Sequence, residues 1–198
     1  MAEIFRNMSD ALNLIGPGIL GDGRVLTYVV DIDGNELAAC TLLVLQREHP
    51  CQVDEDAFDD LPNTEDDEIA EIEGVLLDAA VDVVIALAKV LEDQFAAELD
   101  PFYMRLLKFS VSTSCDISDL QRSKTASERS MGIAALGEIT GALKGSMIKH
   151  TGELLALFFN SLDDPAEEVA TNSIYGLGLL LESTPQNVSR YFSCVYNG

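Results

Sequence analysis

The residue types best suited to metal binding or covalent catalysis are few and scattered in this chain. Two histidines, His49 and His150, and four cysteines, Cys40, Cys51, Cys115 and Cys194, occur in 198 residues. A zinc or thiol–disulfide centre needs its ligands at short, fixed spacing, such as Cys-x-x-Cys, and no cysteine pair here has it. His49 and Cys51 lie two residues apart but lack a second pair of ligands at metal spacing. Gly21-Asp22-Gly23-Arg24 lacks the order of a phosphate-binding loop and reads as a turn. The acidic stretch after Gln52 lacks the central glycine of a calcium loop. These patterns predict no enzyme, no cofactor and no metal, and the thiols read as reduced structural cysteines.

The chemistry that does stand out is charge. Thirty-four acidic side chains against twelve lysines and arginines give a formal net charge of −22. Such a field repels nucleic acid and draws in basic polypeptides, for which histones, ribosomal proteins and lysine-rich tails are the physical candidates. The acids concentrate between Asp54 and Glu73, where no lysine or arginine interrupts them and where Pro62-Asn63 signals a turn. A solvated acidic loop is expected over about 52–68. No apolar run approaches the roughly 18 residues of a membrane span, and the N-terminus lacks the basic-then-apolar order of a signal peptide, so an intracellular chain without membrane contact is expected.

The elements that must carry this charge read as helices. Leu76, Leu77, Ala80, Val83, Val84, Leu87 and Leu91 recur at helical spacing within 71–95. A further helix is expected from Phe102, with Asp100 as its cap and Pro101 in its first turn. Others are expected over 126–143, 148–162 and 166–183, the last ended by Thr184-Pro185. The segment 114–125 is polar and reads as a loop, and another helix is expected from about Gln186. Nearer the N-terminus, helices are expected over 4–15, ended by Gly16-Pro17-Gly18, and over 35–48, capped by Asn35. Between them, Val25–Ile32 is β-branched and fits either a short strand or an irregular helix.

Three of the helices share a phrase: Ala86-Leu87-Ala88, Ala135-Leu136-Gly137 and Gly176-Leu177-Gly178. Their leucines are 49 and 41 residues apart, close to the 40–47-residue period of HEAT and armadillo repeats. A helical hairpin cannot bury its apolar stripe alone, and stacking hairpins buries it. The expected fold is therefore all-α, a right-handed HEAT-repeat solenoid of about four repeats over the whole chain, 1–198. At about 100° per residue, Glu168, Asn172, Tyr175, Leu179 and Glu182 fall on one side of the last helix, and Ala170, Ile174, Leu177 and Leu181 on the other. Stepping back by the repeat interval reaches Ser127, Met131, Ala134, Glu138 and Gly141, and then Asp78, Asp82, Ile85, Lys89 and Glu92. The stripes are expected side by side on a concave face. Asp78, Asp82, Glu138, Glu168, Asn172, Tyr175 and Glu182 are its candidate binding residues, with carboxylates for ammonium groups, an amide for peptide backbone and an aromatic ring for an aliphatic stem. A scaffold that holds folded partners on ridges and loops, and an acidic chaperone for histones acting through the 54–73 stretch, fit the same composition.

Several segments also resemble one family. Ser127-Glu128-Arg129-Ser130-Met131-Gly132-Ile133 with Gly137-Glu138, then Val169-Ala170-Thr171-Asn172-Ser173-Ile174-Tyr175-Gly176-Leu177-Gly178-Leu179-Leu180, and His49-Pro50-Cys51-Gln52 ahead of the acidic stretch, are similar to segments of the karyopherin-β import receptors, of the importin-4 type. The resemblance implies a long HEAT solenoid, of which this chain would be a piece from the C-terminal half. It implies basic protein cargo, weak contacts with phenylalanine-glycine nucleoporins, and Ran-GTP bound through an N-terminal part that this chain lacks. It also implies residence in cytoplasm and nucleus and at the nuclear pore.

Overall fold

A computed structural model of the chain describes residues 1–20, 34–50, 52, 65–111 and 125–184. The expected loops over most of 52–68 and 114–125, the Val25–Ile32 segment and the helix from Gln186 lie outside the described residues, as do Cys51, Cys115 and Cys194. The described residues contain helices and no strand. They divide into two compact units, Met1–Leu91 and Glu92–Gly198.

The first unit holds α1 (Ala2–Leu20), α2 (Gly34–Gln46) and α3 (Glu65–Leu91). Both α1 and α2 pack against α3. Flanked in this way, α3 is buried on most of its circumference between Leu76 and Val90, and Ala80, Val83, Val84 and Ala88 are sealed from solvent. Phe5 and Leu12 fix α1, each side chain contributing about 1.5–3 kcal/mol by burial. The Ser9 hydroxyl donates to the Asp82 carbonyl (3.3 Å). Two expectations change here. The Gly16-Pro17-Gly18 stop does not end α1, which runs on to Leu20. Proline in a helix removes one hydrogen bond and strains one turn, a loss that a helix near its end tolerates. Asn35 lies inside α2, one residue after its start, and not at the cap.

The C-terminus of α2 ends in a Schellman turn. The Glu48 N–H donates to the Leu43 carbonyl and the Arg47 N–H to the Val44 carbonyl, with Arg47 in the left-handed region at φ 62°. Glycine is the usual residue there, and here the Arg47 side chain is ion-paired with Glu73 of α3. Gln52 completes the turn: its side-chain amide donates to the Val44 carbonyl (3.0 Å) and its carbonyl oxygen accepts from the His49 N–H (3.2 Å).

In the second unit a short α4 (Asp93–Glu98) leads into α5 (Asp100–Ser110) and α6 (Ala126–Leu143). A 3-10 turn (Lys144–His150) then leads into α7 (Thr151–Ser161) and α8 (Glu167–Ser183). The pairs α5–α6 and α7–α8 are two helical hairpins, and the hairpins stack mainly through α6 on α8. Along that contact Asn172 meets Ser130, Gly176 meets Gly137 and Ser183 meets Thr140, so the two helices run parallel, as the second helices of consecutive repeats must. The start of α6 is set by a capping box, in which Thr125 Oγ1 accepts from the Glu128 N–H and the Glu128 carboxylate accepts from the Thr125 N–H. Asp100 is not the cap of α5. It sits in the first turn, where Leu99 at the cap position is already helical, and its carboxylate bonds Lys149 instead.

The middle helix α6 is buried on two sides: Gly132, Ile133, Ala135, Leu136, Gly137, Ile139, Thr140 and Leu143 are all covered. A single apolar stripe cannot describe it, because α5 lies on one flank and α8 on another. Gly132 is where α5 presses in, since a β-carbon there would lie 2.6 Å from Ser110 Oγ. Buried hydroxyls do not interrupt the packing. Ser110, Thr140, Ser173 and Thr184 each donate to the carbonyl four residues back in their own helix.

Candidate binding face of the repeat stack

The face expected to meet a partner rests on α8, and its orientation corrects the expectation. The buried residues of α8 are Val169, Ser173, Gly176 and Leu180, whereas Ile174 (64% exposed) and Leu181 (40% exposed), assigned to the buried side with Ala170 and Leu177, face outward. The physical reason is Gly176. Without a side chain it lets α8 settle onto Phe158 and onto Gly137; a β-carbon at Gly176 would lie 2.7 Å from the Phe158 ring. Closest backbone approach, not the largest hydrophobes, sets the helix rotation. In the shared phrase Leu136 is fully buried and Leu87 nearly so, but Leu177 is only half-buried. Gly176 meets Gly137, 39 residues earlier, and Tyr175 bonds Glu138, 37 residues earlier, so the stacking register also departs from the 41-residue step.

The candidate residues of the second unit split into two kinds. Asn172 is half-buried, and its amide donates to the Ser130 hydroxyl (2.8 Å) and carbonyl (3.3 Å), which makes it a tie between helices. Tyr175 stands 53% exposed, and its hydroxyl donates to Glu138 Oε1 (3.0 Å). That bond and the nearby Glu138 and Glu182 charges raise the Tyr175 pKa above its ordinary value. Glu138 thus contacts Tyr175 directly, and Glu182 of α8 lies close enough to act on Tyr175 electrostatically. Glu168 is exposed at the start of α8, close enough to act electrostatically on Arg129.

In the first unit Asp78 and Asp82 both lie on an exposed side of α3. Partial burial first, then the charges of Asp78 and Asp10, raise the Asp82 carboxyl above the usual carboxylate range, against the opposing pull of Arg6 and Lys89. Arg6 and Asp10 belong to α1, so this acidic patch carries a basic neighbour that the spacing of α3 alone does not reveal.

Two groups escaped the sequence reading. Arg129 of α6 holds Asp164 in a bidentate pair, Nε to Oδ2 and Nη2 to Oδ1, both 2.8 Å. Asp164 also accepts from the Ala166 N–H (2.9 Å), and the Arg129 bond holds its carboxyl below the usual range. The Asp163-Asp164-Pro165 turn is visible in the sequence, but its partner 35 residues earlier is not. Next to this pair lies an open groove of about 800 Å³ between α5 and α7, with Met104, Leu107 and Leu157 among its apolar lining. Among the described residues no group of histidine, cysteine and carboxylate side chains is placed to hold a metal ion, and no helix is long and apolar enough to cross a membrane.

Consecutive helical hairpins whose second helices stack in parallel define a HEAT-type α-solenoid segment. No family model matches the chain. It is 31% identical over 160 residues to the probable importin subunit beta-4 of Schizosaccharomyces pombe, a match covering 78% of this chain and 14% of that protein. The chain belongs to the karyopherin-β family, of the importin-4 type.

Proposed function

We propose that this chain acts as part of a nuclear import receptor and binds basic protein cargo, of the histone or ribosomal-protein kind, through exposed carboxylates of its second-position helices. The observation that carries the reading is the contact of Glu138 with Tyr175, with Glu182 close enough to act on that phenol and Glu168 further along α8, in a chain related to an importin subunit. Two carboxylates beside a half-exposed phenol suit a lysine, with the stem over the ring and the ammonium group on the acids. A net charge of −22 steers such a cargo inward before the short-range contacts form. Asp78 and Asp82 serve the same purpose in the first unit, with affinity tempered by Arg6. Asn172 supports the face by holding α8 on α6. The groove between α5 and α7 is the surface on which phenylalanine-glycine nucleoporins would seat an aromatic side chain. Ran-GTP would act through other parts of a full receptor, which would move between cytoplasm and nucleus and through the nuclear pore.

The test is a titration of the full chain with a fluorescent lysine-rich peptide at 50 and 200 mM salt. Affinity is expected to fall steeply with salt, and at least tenfold in a Glu138→Gln, Glu168→Gln, Glu182→Gln variant. A triple variant that binds as tightly as the parent removes this face as the site.

A further inference from the structure

The junction of α5, the 3-10 turn and α7 contains a histidine whose surroundings suit only one of its protonation states. The His150 ring stacks on Tyr103, centroids 3.9 Å apart and planes inclined by 28°. Tyr103 is 1% exposed, and its hydroxyl donates to Glu153 Oε2 (2.7 Å). His150 Nε2 is buried, makes no hydrogen bond among the described residues, and stands 3.6 Å from Asp100 Oδ1. The adjacent Thr151 Oγ1 is buried and equally without a hydrogen bond.

Both carboxylates that would welcome a charged imidazole are already engaged. Asp100 bonds Lys149 at 2.6 Å, and Glu153 accepts from Tyr103. The groups that act on His150 come from every side of this junction. Burial and Lys149, its neighbour in the turn, disfavour the imidazolium; Asp100 of α5 and Glu153 of α7 favour it, and the first influences prevail. On the α4 side Asp93 is bonded to Ser146 of the same turn. The α6 and α8 helices, which also touch the turn, supply none of the groups acting on His150.

We propose that this junction is a proton-operated joint: neutral His150 seats on Tyr103 and locks the 3-10 turn against α5, and protonated His150 leaves that seat and loosens α5 from α7. The charged ring needs a hydrogen-bond acceptor at the buried Nε2, and in the seat the Asp100 Oδ1 atom near it stands 3.6 Å away, beyond hydrogen-bond distance, and is already bonded to Lys149. At Asp100 the ring competes with Lys149 for Oδ1, and at Glu153 it joins a carboxylate that already accepts from Tyr103 through Oε2, so either approach shifts the ring from its stacked position. Glu153 also lines the groove between α5 and α7, so the loosening changes the shape of that groove. The direction follows from linkage. An imidazole that protonates less readily folded than unfolded stabilises the junction above about pH 6.5, and the stabilisation is lost as pH falls through its folded-state value.

The experiment is an NMR titration of the full chain between pH 8 and 4.5. It follows the imidazole signals of His150 against those of His49, the Tyr103 ring, and exchange of the 144–153 amides corrected for its intrinsic pH dependence. The expected result is that His150 titrates below 6.5, that the Tyr103 ring signals shift in the same pH range, and that local opening rises by up to about tenfold per pH unit in that window. His150→Phe, which keeps the stacked ring without the proton, should abolish the acid-linked opening. Titration of His150 at or above 6.5, or an equal rise in opening in His150→Phe, overturns the proposal; the titration needs only the parent protein, so a variant that folds poorly leaves it testable. Peptide affinity plays no part in the readout, so the outcome is independent of the proposed cargo function.

Discussion

Gly137 and Gly176 meet backbone to backbone, so that a β-carbon on Gly137 would lie 3.1 Å from the Cα of Gly176. This crossing brings α6 and α8 close enough for the bonds on either side of it, Asn172 to Ser130 and Ser183 to Thr140. Gly176 is the tighter of the two positions, because its other neighbour is the fully buried Phe158. Gly176→Ala should cost about 1–3 kcal/mol, the range for overpacking a filled core. Phe158→Leu in the same chain should recover part of that cost, and a double-mutant cycle by chemical denaturation measures the coupling. Additive losses would show that the crossing has room to relax.

Asp164→Asn removes the charge from the bidentate pair with Arg129 and should destabilise the chain by about 1–3 kcal/mol at neutral pH. The Asp164 carboxyl titrates below its ordinary value of 3.8 when folded, so its contribution is present above that value and is lost as pH falls through the lower, folded-state value. Parent and variant should therefore differ at pH 7 and converge in strong acid. Urea midpoints measured from pH 7 to 2 check both the size and the sign.

Thr125→Ala should lower stability by about 1 kcal/mol through loss of the α6 cap, and Glu128→Ala by less. The exchange of the first-turn amides of α6 should rise in both. No change in those amides would mean that packing from α5 holds the helix start without the capping box.

Phe5→Ala should cost about 3–5 kcal/mol in the first unit, because the ring is 2% exposed and anchors α1 on α3. Exchange protection of the buried stretch of α3 from Leu76 to Val90 should fall in step. A loss below about 1 kcal/mol would place the anchoring of α1 elsewhere along its length.

Much of this protein is legible before folding is considered. The bounds of α6 follow from a Thr-x-x-Glu start and a run of small and apolar residues, and the turn at Asp163-Asp164-Pro165 from proline and aspartate chemistry. These are local signals, carried by neighbours within four or five residues. The small–Leu–small phrase shared by α6 and α8 likewise points to stacked hairpins, because repeated packing leaves a similar phrase at a repeat-length interval, here 41 residues. The charge of −22 is a property of composition alone.

What the chain folded on itself decided is which side of each helix meets which neighbour. The helix α6 serves two interfaces at once, so periodicity has no single stripe to report. Rotation of α8 was settled by where two glycines allow backbones to touch, which placed Ile174 and Leu181 outside and turned Asn172 into a tie between helices. The Arg129–Asp164 pair and the seat of His150 on Tyr103 join residues 35 and 47 positions apart. Such contacts depend on distances in space that no spacing along the chain encodes.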